Sequence, residues 1–599
     1  MTVRPLLREA LVLHREGRLA DARSLYEQVL TIAPAQPDAL HLLGLIEYQQ
    51  GNSRQAVALI GEALKLDPAN AAAHCNMASA QQALGDFAAA IAGFDQAIAL
   101  DSRYADAYYN RGNLRKDLKS WPEAIADYEQ ALALNSDLVQ AHNNRGAVLE
   151  QLGRLDEALG SYERAIAGKA DFAEAHRNRG SVLHKLRRFD EALTSCERAI
   201  AIRPDYAQAY SDRGVILHEL RRFAEALDSC DRALKIRPDD PDTYSNRGVV
   251  LQDLGEPAAA LASFDRAIAC SSNHAAAHFN KSLTCLLEGD LEQGWREHEW
   301  RWKTASGARD AARFAAKPWL GGESIAGKTI LLHAERGLGD TLQFCRYAGL
   351  LAERGATVVL EVQEPLRALL SRLEGVAAVL ARGEPLPSFD HHCPMLSLPM
   401  AFNTTLATIP ARIPYVVSDP VKRRDWQERL GPAGRLRVGL VWSGGFRPHE
   451  PEQWSVNRRR NIPLNLFAAL AHPEVDFLSL QKGCEAEAEL ALMRTQRRGM
   501  PAISDWSELL KDFSDTAALI AQLDLVISVD TSTAHLAGAM GKPVWLLNRF
   551  DTCWRWLRRR IDSPWYPTMR IFRQQRDGDW HGVLARVRSE LDQWVAAAR

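Results

Sequence analysis

VQAHNNRGAVLEQLGRLDEALGSYERAIAGKADF, residues 139–172, and AEAHRNRGSVLHKLRRFDEALTSCERAIAIRPDY, residues 173–206, repeat one pattern in register, 34 residues apart. The spacing extends in both directions. Turn positions fall at Gly17, Gly51, Gly85, Lys119, Gly153, Arg187, Arg221, Gly255 and Gly289. Seven residues before each turn stands a small side chain: Ala10, Gly44, Ala78, Gly112, Gly146, Gly180, Gly214, Gly248 and Ser282. Five after each comes another, Ala22, Ala56, Ala90, Ala124, Ala158, Ala192, Ala226 and Ala260, then Gly294. Small residues held in phase let one helix approach the next, and Pro34, Pro68, Pro204 and Pro238 close helices by removing an N–H donor. The pattern predicts helix pairs stacked in one dimension.

These positions resemble the tetratricopeptide family over roughly residues 3–303. The resemblance implies an α-solenoid, a superhelix with a long concave face, and therefore a binding surface rather than chemistry. Nine residues before the turns stand Asn76, Asn110, Asn144, Asn178, Asp212, Asn246 and Asn280. Asn and Asp in mid-helix cost about 0.5 kcal/mol each relative to Ala. Two readings stay open: an ordinary residue of this repeat, or a ladder of amides that grips the backbone of an extended acceptor peptide.

Composition bounds the rest. A chain of 599 residues has room for the solenoid and two compact units. Lys plus Arg number 73 against 75 Asp plus Glu, which gives no global field to recruit nucleic acid or an acidic membrane. The run Arg555, Arg558, Arg559, Arg560 is too short to alter that. The nine cysteines lie singly, without metal-ligand spacing, as in a reducing cytoplasm. The amino terminus already reads as the first repeat's charged helix, and no apolar run is long enough to span a bilayer. A cytoplasmic protein without integral membrane contact is expected.

The repeat breaks at LEQGWREHEWRWK, where Leu291, Trp295 and Trp302 share one helix face. Either these aromatics form an interface with the next domain, or they make an ordinary hydrophobic cap. Beyond a linker over 304–326 the period switches to alternating strand and helix. Strands are expected at 328–334, 357–362 and 376–380, and again at 437–442, 476–480, 525–529 and 544–547. Such alternation implies parallel sheets with right-handed crossovers. The expected layout is a superhelix over 1–303, one Rossmann-like domain over 327–420, and a second over 421–599 whose last helix crosses back to the first.

Two motifs carry chemistry. Gly337-Leu338-Gly339-Asp340-Thr341 follows the first strand and opens a helix, a rigid elbow whose free N–H groups suit an anion or hydroxyl. Leu342 stands where a dinucleotide fingerprint needs glycine, which disfavours NAD. Asp340 is either a general base or a helix N-cap. In the second domain a buried strand ends at Asp530, and Thr531, Ser532 and Thr533 begin a helix that runs on through His535. Hydroxyls and N–H groups at the positive end of a helix suit a diphosphate. His535 is either a core histidine or a donor to that phosphate; Lys482, after Gln481, is either solvated or a point charge on it.

GLGD and DTSTAH together resemble the heptosyltransferase family of GT-B glycosyltransferases, over roughly 327–575. The likeness implies a GT-B fold, Asp340 as the base on the acceptor hydroxyl, and a nucleotide-sugar held by Asp530, Thr531, Ser532 and His535; the chemistry of the strand ends adds Gly337, Gly339, Thr533 and Lys482 to the expected donor side. Ser532 stands where the family usually has Gly. The family's middle basic residue has its nearest candidates in Arg458, Arg459 and Arg460. Repeats joined to such a domain also resemble the layout of O-GlcNAc transferases, which act on proteins. The resulting expectation is an inverting transferase that places a sugar on a Ser or Thr of a protein threaded along the repeats. It needs no metal or cofactor, and Asp577-Gly578-Asp579 reads as a solvated turn rather than a ligand pair. A saccharide or lipid acceptor, or an inactive scaffold, are the alternatives.

Overall fold

Gly146 and its counterparts explain why the repeats pack as they do. A Cβ at Gly146 would lie 2.7 Å from the Tyr162 ring, and one at Gly180 would lie 2.7 Å from Cys196 Sγ. The helix pair therefore closes only around hydrogen. The computed structural model describes residues 3–304, 307, 313–314, 317–335, 337–445, 454–496 and 501–598, and divides into two compact units, Met1–Asp239 and Asp240–Arg599.

The first unit consists of antiparallel helix pairs, from Val3–Arg15 with Leu19–Ile32 to Ala207–Glu219 with Phe223–Ile236. All nine turn positions have positive φ, including Lys119 at 61°, Arg187 at 61° and Arg221 at 60°. The left-handed residue lets the next N–H reach back to the helix, as when Arg154 N donates to Leu149 O at 2.9 Å and Arg188 N to Leu183 O at 2.9 Å. Three cationic residues accept a conformation that costs a non-glycine about 1–2 kcal/mol, which shows how firmly the bond pattern dictates the turn. A second periodic layer went unread in the sequence. Arg145 donates to Ser161 Oγ at 2.7 Å and pairs with Glu129 at 2.8 Å; Arg179 and Arg213 repeat this with Ser195 and Glu163, and with Ser229 and Glu197. Each arginine ties its own helix pair to the one before.

In the second unit the repeat continues through the helices Pro241–Asp253, Pro257–Cys270, Ala275–Glu288 and Leu291–His298. Two parallel sheets follow. The first holds β1 (Thr329–His333), β2 (Thr357–Val362), β3 (Val376–Ala381) and β4 (His391–Pro394) in the order β3-β2-β1-β4. The second holds β5 (Leu436–Val441), β6 (Val475–Ser479), β7 (Ile503–Asp505), β8 (Leu525–Val529), β9 (Val544–Asn548) and β10 (Met569–Arg573). Its order, β10-β9-β8-β5-β6-β7, is doubly wound, and the direction of winding reverses between β5 and β8, where such sheets open a crevice at their carboxyl ends.

The aromatic end of the repeats is an internal interface. Leu291 and Trp295 are buried, and Trp295 stands edge-on to Trp554 at 5.2 Å, Phe344 at 6.1 Å and Trp565 at 6.4 Å. Trp302 is only half-buried, with the Arg301 guanidinium 4.5 Å from its ring centre. One core thus runs from the last repeat through the first sheet to the second. The final helix, Trp580–Ala598, differs from expectation. It stays on the second sheet, where Val583, Leu584, Val587 and Leu591 pack with Val438, Leu440 and Phe467, because that apolar stripe matches the nearest sheet face. The nine cysteines are free thiols. Among the described residues no helix is long and apolar enough to cross a membrane.

Candidate functional site

The glycine elbow and the hydroxyl-rich helix start face each other. Gly337 caps the helix Leu338–Phe344 with extended dihedrals, φ −93° and ψ 137°. Asp340 is therefore the third helical residue and not the cap, a position the helix dipole favours for a carboxylate. Opposite lies the helix Ser532–Ala539, capped by Thr531, whose side chain makes no capping bond; the Thr531 carbonyl accepts from Ala534 N at 3.1 Å. The Thr531 hydroxyl instead meets Ser528 Oγ at 3.1 Å. The two helices touch at Gly339, where a Cβ would come 2.8 Å from His535 Cδ2. Only glycine permits that approach.

His535 is a buried, neutral ring. Its Nδ1 meets the Tyr566 hydroxyl at 2.9 Å, and its face stacks on Trp556 with centroids 5.1 Å apart. Burial pushes its pKa down to about 4; Asp530 and Asp340 oppose the shift, and Arg555 and Arg346 add to it. Four charged groups thus bear on one imidazole. The histidine is a core residue that lies at the meeting point of the motifs.

Asp340 is ion-paired to Arg555, which in the sequence stands out only as one of a short basic run. The Arg555 side chain is 16% exposed, its Nη1 donates to Cys553 Sγ at 3.1 Å, its Nε has no partner among the described residues, and its guanidinium lies 4.2 Å from the centre of the Trp554 ring. The other carboxylate oxygen, Asp340 Oδ2, lies against Gly337, where a Cβ would come within 2.8 Å of it. Arg460, one of the three candidates for the middle motif, donates to the Asp530 carbonyl at 2.9 Å and fills the space beside Gly444. Arg459 pairs instead with Asp551 at 2.9 Å, and Arg549 approaches the same carboxylate at 3.6 Å. Residues 446–453, between β5 and these arginines, lie outside the described residues.

Lys482 lies apart from this group. Its Nζ donates to Ser507 O at 2.8 Å and pairs with Glu487 at 3.4 Å, both beyond β6 on the side of β7. The neighbouring Gln481 is structural. Its Oε1 accepts from Trp442 N at 3.1 Å and Ser443 N at 3.0 Å, which fixes the loop after β5. Asp579 caps the final helix through Gly582 N at 2.8 Å.

A second buried arginine braces the site without facing it. Arg346 donates to Gln343 O at 2.7 Å, Pro410 O at 3.0 Å, Trp565 O at 2.7 Å and Tyr415 Oη at 2.8 Å, joining the two sheet lobes. Behind the elbow, Arg301 at the end of the repeats grips Glu335 in a fork at 2.9 and 3.0 Å, together with Glu299 at 2.6 Å and Ser397 at 2.7 Å.

On the repeats, the ladder residues are half-exposed and linked to one another's neighbours. Asn76 Nδ2 meets His41 Nε2 at 2.8 Å, Asn110 lies 3.7 Å from Cys75 Sγ, Asn144 donates to Asn113 Oδ1 at 2.9 Å and Asn178 to Asn143 Oδ1 at 3.0 Å; Asp212 accepts from Arg177 at 2.5 Å. These side-chain bonds run between repeats, and two of the ladder oxygens are also engaged: Asn144 Oδ1 accepts from Asn143 Nδ2 at 3.4 Å and Asn178 Oδ1 from Arg177 Nη1 at 3.1 Å. Asn246 and Asn280 hold the same helix position in the second unit.

Comparison with known proteins agrees with both halves at a coarse level. Tetratricopeptide-repeat models match residues 13–74, 83–119, 112–153, 149–207, 177–241 and 246–294, and the model of glycosyltransferase family 9 (heptosyltransferase) matches residues 510–547, which include the Asp530–His535 motif. Protein FlbA of Caulobacter vibrioides is 28% identical over 353 residues, 54% of this chain; the match spans only 56% of that protein's own length. Among solved structures, the Cut9–Hcn1 hetero-tetramer of APC/C is 17% identical over 47% of this chain and 55% of that one, with a TM-score of 0.37. Pseudomonas aeruginosa PilF is 22% identical over 35% of this chain and 94% of that one, with a TM-score of 0.32. The chain thus carries tetratricopeptide repeats through its amino-terminal region and, near its carboxyl end, a segment similar to glycosyltransferase family 9.

Proposed function

We propose that this chain is an inverting GT-B glycosyltransferase that moves a sugar from a nucleotide-sugar donor to a hydroxyl, with a Ser or Thr of a repeat-bound protein as the acceptor. The observation that carries the reading is the contact of Gly339 with His535, which brings Asp340 and the Thr531–Thr533 helix start to one place. Asp340 accepts the acceptor proton. Gly337 and Gly339 keep the backbone thin there, while Asp530, Thr531, Ser532, Thr533 and His535 line the donor side, where the helix dipole favours a diphosphate. Lys482 has no part in this version, because its ammonium is held on Ser507 and Glu487. Guanidinium groups supply the cationic charge, so the mechanism calls for no metal. Along the repeats, the half-exposed Asn ladder would exchange its side-chain bonds for the backbone of an extended peptide.

The test is transfer itself. Full-length protein is incubated with a panel of nucleotide-sugars and with candidate acceptor proteins, and intact mass reports which proteins gain a sugar. Asp340→Asn should lower the rate by about 10²–10⁴-fold, the usual contribution of a general base. A variant that transfers at the wild-type rate removes the base assignment, and a protein that consumes no donor at all removes the enzyme. The match to a family described as heptosyltransferases supports one second reading, a saccharide acceptor; mass gained on glycan or lipid, and never on protein, would establish it.

A further inference from the structure

We infer that Arg555 is the cation on which the departing diphosphate settles, and that Asp340 holds it until the donor's charge draws it away. The inference rests on the transferase reading above and adds a residue that neither sequence motif contains.

Two buried arginines at this site differ in kind. Arg346 spends its donors on three carbonyls and a phenol, neutral acceptors that fix it as a brace. Arg555 is balanced by a carboxylate instead, and that carboxylate is the proposed base. Its Nε is without a partner among the described residues, and Asp530, at the end of β8, also bears on its charge. It sits in the single turn Trp554–Trp556 that follows β9, at the carboxyl end of the second sheet, where doubly wound sheets receive phosphates. The turn is rigid because Trp554 is wedged against Trp295 and Phe344, and Trp556 against His535. A guanidinium carried on a rigid turn beside a helix start, whose dipole favours negative charge, makes a two-sided anion receptor, and arginine matches phosphate oxygens two at a time.

A diphosphate brings more negative charge than one carboxylate, so it outcompetes Asp340 for the same cation at equal distance. The exchange has a chemical consequence. While Arg555 occupies Asp340 Oδ1, that oxygen is unavailable to an acceptor hydroxyl. Once the guanidinium turns to the diphosphate, Asp340 takes the hydroxyl proton and the acceptor oxygen bonds to the anomeric carbon. The bond from that carbon to the phosphate oxygen breaks, and the electron pair leaves on the diphosphate, where Arg555 balances it. Donor occupancy thereby releases the base.

Calorimetry with inorganic pyrophosphate on the full-length protein tests this without knowledge of the sugar. Arg555→Met should weaken binding roughly tenfold or more, the loss of a charge-assisted fork, and Arg555→Lys should recover part of it. Asp340→Asn should tighten binding several-fold, because it removes the competitor; a merely structural carboxylate would give no such gain. Should Arg555→Met fail to fold, by near-ultraviolet dichroism, the Asp340→Asn result decides alone. Unchanged or weaker pyrophosphate binding by Asp340→Asn overturns the proposal, as does wild-type binding by a folded Arg555→Met. A protein that shows the tightening yet transfers no sugar from any donor keeps the receptor and loses the transferase, so the two failures are separable.

Discussion

Replacing Arg301 with methionine removes the cation at the centre of a buried cluster, and the structure sets the scale of the damage. Arg301, Glu299 and Glu335 are 10%, 16% and 8% exposed at their side chains. Removing one partner of a buried pair costs about 3–5 kcal/mol, because the survivor keeps its desolvation and loses its compensation. Here two carboxylates survive side by side, which argues for the upper end. Against that, Glu335 keeps Leu396 N at 3.1 Å and Glu299 keeps Ser397 Oγ at 2.8 Å, which brings the expected loss to about 3–4 kcal/mol at pH 7. Burial already raises the Glu335 pKa, and Arg301 is the main opposing influence. Without the arginine the folded-state value rises further. A carboxyl whose pKa is higher folded than unfolded holds its proton more tightly when folded, so it gains stability as pH falls through the folded value. The deficit of Arg301→Met relative to wild type should therefore narrow between pH 7 and pH 5. Urea unfolding followed by tryptophan fluorescence reads the right unit, since Trp121 alone of the 15 tryptophans precedes Asp240. A deficit under about 1 kcal/mol, the size of a surface pair, or one that does not change with pH, refutes the reasoning.

The buried His535 predicts the opposite slope for the wild type. With a folded pKa of about 4 against 6.5 unfolded, its contribution is complete above pH 6.5 and is lost as pH falls toward 4, about 2 kcal/mol of it by pH 5. His535→Phe should flatten that part of the profile, and parallel profiles for the two proteins would contradict the assignment. In the repeats, Gly146→Ala forces a methyl against Tyr162 and should cost about 1–3 kcal/mol, read from far-ultraviolet thermal melts; a neutral result would mean the pair can spread.

The repeats were legible because their information is periodic and local: a turn that needs a left-handed residue, and a helix contact that needs a small one, recur at fixed spacing. Even Lys119, Arg187 and Arg221, poor left-handed residues by type, could be placed by phase alone. Strands with continuous apolar runs, such as Leu525–Val529, were also readable, whereas β4 (HHCP) and β7 (ISD) are too short and too polar to stand out. The motif residues on strand ends were readable by type and position. Arg555 was not, because its role depends on a carboxylate 215 residues away in the chain. Its signal was a segment, NRFDTCWRW, in which arginine and tryptophan alternate just after a strand of the doubly wound sheet. Lys482 follows a strand end in sequence and in structure, but its bond to Ser507 O, on an outer strand's loop, is silent in sequence.

The boundary between the units has a practical consequence for anyone shortening the gene. The repeat spelling ends near Lys303, yet Arg558 reaches Gly255 O at 3.1 Å and Glu288 at 3.0 Å, and Trp295 closes the aromatic cluster. A fragment begun at Gly327 would put Trp554 and Trp565 in water and strand a cation. One begun at Asp240 keeps its own lid, and the correct scissors position is set by what the last helices touch rather than by where their signature fades.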